Sequence, residues 1–145
     1  MSLNPRLQHW PGQRVWLVGA GHGIGAALAE TLQQQGARVA LSGRTEAALQ
    51  AVAQQRPDMP VHVMDATQPD DWARVRDALL AEWGGIDLVI VMAGDYTPLR
   101  AWELTPETAR RMVDINLLAP MYAVAACVPQ LMQQGSGGLV LVASV

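Results

Sequence analysis

The sequence predicts an α/β fold, a doubly wound parallel sheet, on three observations. Short apolar runs alternate with stretches of helical spacing along the whole chain. The runs are apolar at successive positions rather than at every second one, as in parallel strands covered on both faces. A glycine-rich turn, GAGHGIG at 19–25, joins the first run to the first helix, at the end of the strand where such sheets bind ligands. Right-handed crossovers then give the strand order 3-2-1-4-5.

Residues 14–18, RVWLV, read as the first strand. Helical spacing follows over 24–35, where Ile24, Leu28 and Leu32 recur at i, i+4 and i+8 beside Ala27 and Thr31, and Gly36 ends it. RVALS at 38–42 is the second strand. Thr45 is placed to N-cap a helix through about Gln55, closed by Pro57. VHVMD at 61–65 is the third strand. Asp70 or Asp71 starts a helix carrying Trp72, Val75, Leu79 and Trp83, which Gly84-Gly85 breaks. IDLVIVMAG at 86–94 is the fourth strand, apolar on both faces. Thr105-Pro106-Glu107 opens a long helix toward Gln134, which Pro120 and Pro129 are expected to kink or interrupt. GLVLVA at 138–143 is the fifth strand. Residues 1–13 are read as an N-terminal tail and 14–145 as one incomplete domain, with no repeat or linker.

Composition narrows the function. Half of the 145 residues are hydrophobic, enough for a sizeable core. A net charge of −3, with no basic stripe, argues against a nucleic-acid partner. The single Cys127 cannot form an internal disulfide and suits a reduced interior. His9, His22 and His62 are scattered, so no metal site is expected. No apolar stretch is read as reaching the roughly 18–20 residues that span a bilayer, and the start MSLNPRLQHWPGQ lacks a signal-peptide core. A cytoplasmic protein without a membrane partner is the expectation. All ten basic residues are arginine, and the only tyrosines are Tyr96 and Tyr122.

The residues that carry chemistry cluster at strand ends. Gly19, His22, Gly23, Ile24 and Gly25 lie in the glycine-rich turn. Small residues there let a phosphate approach the backbone, and the helix N-terminus offers it free N–H groups. The spacing Gly19-x-x-x-Gly23-x-Gly25 fits, while the strict G-x-G-x-x-G template fails at Ile24. A carboxylate after the second strand would favour the free ribose 2′-hydroxyl of NAD. The chain has Ser42-Gly43-Arg44 instead. Arg44 is either a partner for a 2′-phosphate, and so a preference for NADP(H) over NAD(H), or a solvated loop arginine. His22 either assists or is an ordinary exposed loop histidine. Asp65, followed by Ala66, either accepts from an adenine amino group or caps the next turn. Ala93-Gly94 ends the fourth strand, where a larger side chain would block a ring or ribose, or is a plain turn. Asn116 is read as a buried amide that holds water or a backbone carbonyl, the alternative being a surface amide. Ser144 ends the fifth strand on its carboxyl side, a frequent place for serine.

Taken together these residues resemble the short-chain dehydrogenase/reductase family over residues 13–145. GAGHGIG is similar to the family's TGxxxGIG loop, with Val18 where Thr is usual. SGR at 42–44 resembles the NADP-preferring form, and DAT at 65–67 the adenine-side motif. VMAG at 91–94 stands where NNAG is usual. WELTPE at 102–107 followed by VDINLLAP matches the helix of the active-site Asn, here Asn116, and GGLVLVAS the strand of the catalytic Ser, here Ser144. The resemblance implies a Rossmann-type fold, C-terminally truncated, and an NADP(H)-dependent oxidoreductase acting on a small carbonyl or alcohol. It implies that Ser144 orients the substrate oxygen and that Asn116 supports a proton relay. In the family a Tyr-x-x-x-Lys pair follows the Ser, and this chain contains no lysine. The chain is therefore expected to be the cofactor-binding front of an enzyme, inactive by itself. Complete family members imply a homo-oligomer, a dimer or tetramer. The alternatives are a non-catalytic dinucleotide-binding protein or partner subunit, and a methyltransferase, which Gly43-Arg44 disfavours.

Overall fold

The apolar runs form strands β1 (Arg14–Val18), β2 (Arg38–Gly43), β3 (Val61–Val63), β4 (Leu88–Val91) and β5 (Gly138–Leu141) of the computed structural model, which describes residues 9–54 and 58–143. They build one sheet in the order β3-β2-β1-β4-β5, as expected, with every neighbouring pair parallel. The central strand β1 pairs on both sides, Val18 standing between Ser42 and Val91. Among the described residues five α-helices complete the fold: α1 (Gly23–Gln34), α2 (Glu46–Ala53), α3 (Pro69–Trp83), α4 (Pro106–Val113) and α5 (Ala119–Gln134).

Alternation along the strands divides the core in two. Val15, Leu17, Val39, Leu41, Leu88 and Ile90 pack with Ala29, Leu32, Leu49 and Val52 of α1 and α2. Trp16, Val18, Ala40, Val89 and Val91 pack with Trp72, Val75 and Leu79 of α3 and with Ala119, Ala123 and Cys127 of α5. Trp16 and Trp72 meet with ring centroids 5.5 Å apart. Each indole N–H keeps a partner, Trp16 Nε1 donating to Ser42 Oγ at 2.9 Å and Trp72 Nε1 to the Ala66 carbonyl at 2.9 Å. Burial pushes the Cys127 thiol up to about 12, so it is an inert core group.

Several expected boundaries move. Strands β3, β4 and β5 are shorter than 61–65, 86–94 and 138–143, because apolar sequence continues after pairing stops. Helix α3 starts at Pro69 with Gln68 in the cap position, not at Asp70 or Asp71. Thr45 precedes α2, but its hydroxyl makes no capping bond. The helix end near Gln55 and its closure by Pro57 lie outside the described residues. Helix α1 buries Gly25, Ala29 and Leu32, while Ile24, which shares the helical spacing of Leu28 and Leu32, is 78% exposed. The last residues of the expected tail are docked: Gly12 N–H donates to the Gly36 carbonyl at 2.8 Å, and Arg38 N–H to the Gln13 carbonyl at 2.8 Å.

The long helix differs most. It is interrupted beside Pro120, where it widens into a π-turn at Asp114–Leu118, between α4 and α5. Pro120 lies at the start of α5 and has no N–H to return to the Asn116 carbonyl four residues back, and the wider turn falls there. Pro129 is carried inside α5. Pro106–Gln134 is long and apolar enough by length and composition to cross a bilayer, whereas no such stretch is expected from sequence. The physical reason is that both its faces are apolar. Ile115, Ala119, Ala123, Cys127 and Leu131 are buried, while Val113, Leu117, Met121 and Val124 are exposed.

The amino ends of the strands are held by charge. Arg14 donates from Nε and Nη2 to the two carboxylate oxygens of Asp87, at 2.9 and 2.6 Å. Gln134 of α5 closes the same corner, accepting from Ile86 N–H at 3.1 Å and donating to its carbonyl at 2.9 Å.

Two outcomes follow from these bonds. Ser42→Ala leaves the buried Trp16 N–H without its partner and should lower stability by about 1–3 kcal/mol, read from urea midpoints at constant slope. The Arg14 guanidinium holds the Asp87 carboxyl below its ordinary value of 3.8. The unfolded chain therefore takes up that proton first as pH falls. The pair's contribution is complete above about pH 4 and is lost as pH drops through the depressed value. Asp87→Asn should flatten that part of the acid limb in pH-dependent melts. The part from Asp71, lowered by its bonds to the Asp65 N–H and Arg74, should remain.

Candidate dinucleotide site

A cleft of about 330 Å³ opens where the carboxyl ends of β1, β2 and β4 meet. Its shape starts from missing side chains. Gly19 has a φ of 94°, and a Cβ there would lie 2.6 Å from the Ala93 nitrogen. A Cβ on Gly25 would strike the Gly19 carbonyl oxygen. The loop therefore presses flat against the end of β4, and α1 begins directly over it. Gly19 and Ala20 both donate their N–H to the Ser42 carbonyl, at 2.8 and 3.1 Å, which fastens the loop to β2.

Of the residues read from sequence, Gly19, His22, Arg44, Ala66, Ala93 and Gly94 line the cleft. Gly23, Ile24 and Gly25 form the first turn of α1 beside it but do not line it. Arg44 is exposed and has no hydrogen-bond or ion-pair partner among the described residues. With His22 it is the titratable chemistry of the lining, which contains no carboxylate.

Asp65 sits just off the lining and caps the following turn. Its Oδ1 accepts from Thr67 N–H at 2.9 Å and from the Thr67 hydroxyl at 2.8 Å. Asn116, expected to be buried, is exposed on the π-turn. It still binds backbone, because the segment after β4 passes in front of it. Its Nδ2 donates to the Asp95 carbonyl at 2.8 Å and its Oδ1 accepts from Asp95 N–H at 3.0 Å. Ser144 lies outside the described residues. Strand β5, which leads to it, is tied at its end by Val142 N–H donating to the Val91 carbonyl at 2.9 Å.

Sequence reasoning missed the apolar wall. Leu49, Met64, Met92 and Ile115 line the cleft with Thr45 and Ala48. Leu49 and Met64 are almost fully buried, so in the sequence they look like ordinary core residues. Thr45 gave the one usable signal, a hydroxyl beside Arg44. The arrangement can bind a flat apolar ring against one wall, bring phosphates close to bare backbone, and pair an anion with Arg44.

A sequence model of the family described as short chain dehydrogenase matches residues 13–145. The chain is 34% identical over 131 residues to an uncharacterized oxidoreductase of Staphylococcus aureus strain MW2, covering 89% of this chain and 57% of that protein. Among solved structures it is similar to a short-chain type dehydrogenase/reductase from Mycobacterium ulcerans, with a TM-score of 0.85 and 29% identity over 92% of this chain and 52% of that one. It is also similar to a short-chain dehydrogenase from Streptomyces avermitilis, with a TM-score of 0.83 and 29% identity over 92% of this chain and 50% of that one. The chain thus spans about half the length of the proteins it matches.

The bare-backbone contact has a direct test. Gly19→Ala combines an unfavourable φ with a collision against backbone that cannot rotate away. It should cost about 2 kcal/mol or more, seen as a lowered melting temperature.

Proposed function

The chain belongs to the short-chain dehydrogenase family, and on that premise we propose that it is the cofactor-binding front of an NADP(H)-dependent oxidoreductase. The reaction moves hydride between C4 of the nicotinamide and a carbonyl or alcohol carbon of a small substrate, and the dinucleotide supplies that redox chemistry when bound. One observation carries the reading: a glycine-walled cleft whose lining has an arginine at the end of β2, unpaired among the described residues, and no carboxylate.

The residues present fit the cofactor. Gly19 and the first turn of α1, Gly23 to Gly25, would take the pyrophosphate on backbone N–H groups. Leu49, Met64 and Ala66 would enclose the adenine. Arg44 would pair with the 2′-phosphate, with His22 and the Thr45 hydroxyl beside it. Ala93 and Gly94 would leave room for the nicotinamide ribose. Asp65, already bonded to Thr67, would act by holding the loop that carries Ala66. Ser144 would orient the substrate oxygen. Asn116 would support proton transfer by placement, since both of its amide atoms already hold Asp95. The same reading makes the protein cytoplasmic, with no nucleic-acid or membrane partner. It also makes the complete protein a homo-oligomer, for which the exposed Leu117, Met121 and Val124 offer an apolar helix face.

A second reading is a dinucleotide-binding protein or partner subunit without turnover. It is favoured by Val18 and Val91, adjacent and buried, where the family's usual residues are polar. Tight NADPH binding by the complete protein, with no carbonyl-dependent oxidation, would select it.

Titration with both cofactors tests the main reading. Arg44→Ala should weaken NADPH by about 1–3 kcal/mol and NADH by far less. Equal loss for both would remove Arg44 from the 2′-phosphate.

A further inference from the structure

We propose that Arg111 is a positioning residue for the nicotinamide-side end of the cleft, a role that rests on the dinucleotide reading above. Gly94 lines the cleft, and the next residue, Asp95, is held at three points. Asn116 takes its N–H and its carbonyl, at 3.0 and 2.8 Å. Arg111 takes its carboxylate, Nε to Oδ2 at 2.9 Å. The same guanidinium reaches two residues further, Nη2 donating to the Thr97 hydroxyl at 2.7 Å. Asn116 Oδ1 stands directly behind Gly94, 3.2 Å from where a Cβ would be. The wall of the cleft after β4 is therefore fixed from outside by two side chains of the long helix.

The π-turn makes the pair possible. Arg111 and Asn116 are five residues apart, which in an uninterrupted α-helix turns two side chains about 140° away from each other. A π-turn places one more residue in the turn, so positions five apart come onto one face as positions four apart ordinarily do. The widening at Asp114–Leu118 lets Arg111 and Asn116 grip the same three-residue segment, 95–97. The strand order puts the ends of β2 and β4 on opposite sides of β1. A dinucleotide with its 2′-phosphate at Arg44 thus runs its other half past Gly94. Holding 95–97 in place before binding lowers the ordering cost for that half alone.

The experiment compares two probes on the full chain, NADPH and 2′,5′-ADP, by calorimetric titration. Arg111→Ala should weaken NADPH about fivefold, the scale of one partly exposed ion pair, and leave 2′,5′-ADP within about twofold. Asp95→Asn, nearly isosteric, should give the same split and serves if Arg111→Ala does not fold. Arg111→Lys should recover most of the NADPH affinity, since an ammonium still pairs with Asp95. Equal weakening of both probes means a general structural role and overturns the proposal, as does unchanged NADPH binding. If the parent chain binds neither probe, the dinucleotide reading itself fails and this proposal fails with it. Parent binding of both probes with no split among the variants leaves that reading standing and removes only Arg111.

Discussion

The contact of Gly19 with the backbone of Met92 and Ala93 is the constraint on which the functional end of the molecule depends. In an open parallel sheet a ligand binds in the crevice just outside the carboxyl ends of the strands. Here the first loop after β1 stays so close to the end of β4 that no Cβ fits between them. Gly25 then lets α1 start on top of the loop rather than beside it. Ser42 secures the arrangement with both of its oxygens. Its carbonyl accepts from Gly19 and Ala20, and its hydroxyl accepts from Trp16 in the core. A single residue of β2 thus links the tryptophan packing beneath the sheet to the loop at its rim.

The two ends of the sheet use their polar groups differently. At the amino ends, Arg14, Asp87 and Gln134 are satisfied by one another and by backbone. Such a corner contributes to stability and has little capacity left for a ligand. At the carboxyl ends, Arg44 on the cleft wall has no partner among the described residues, which leaves it capacity to bind an anion. The third set, Asp95, Arg111 and Asn116, is satisfied like the first but stands at the rim like the second. Saturated groups beside a cleft hold its wall; unsaturated ones face what enters it.

What the sequence made legible follows from which residues have no substitute. Sheet order and strand identity were readable because buried parallel strands need continuous apolar runs and crossovers have one hand. Gly19 was readable because its backbone position admits nothing larger; Arg44, read either as a phosphate partner or as a solvated loop arginine, lines the cleft. Leu49, Met64 and Ile115 were not readable, since an apolar cleft wall and an apolar core use the same side chains. Ile24 continues the i, i+4 spacing of Leu28 and Leu32, yet α1 packs through Gly25, Ala29 and Leu32 and leaves Ile24 exposed. The π-turn left no periodic signal, because Pro120 and the apolar residues on both sides of the long helix mask a one-residue shift. Asn116 reads in the sequence as a buried amide holding water or a backbone carbonyl; it holds the backbone of Asp95, but from an exposed position on the π-turn.

The position of the cleft in the chain separates binding from chemistry. Every residue of its lining falls between Val18 and Ile115, upstream of Ser144 and of the strand that leads to it. The contacts that shape it, from Ser42 to Gly19 and from Asn116 to Asp95, also close by residue 116, ahead of β5. Apolar replacement at Val18 and Val91 leaves those contacts intact, because both side chains turn into the core shared with α3 and α5. Dinucleotide affinity can thus be retained while residues that act on a substrate change or are supplied from elsewhere. The oxidoreductase and the non-catalytic reading consequently predict the same cleft. They part only at β5 and beyond, where the substrate oxygen would meet Ser144.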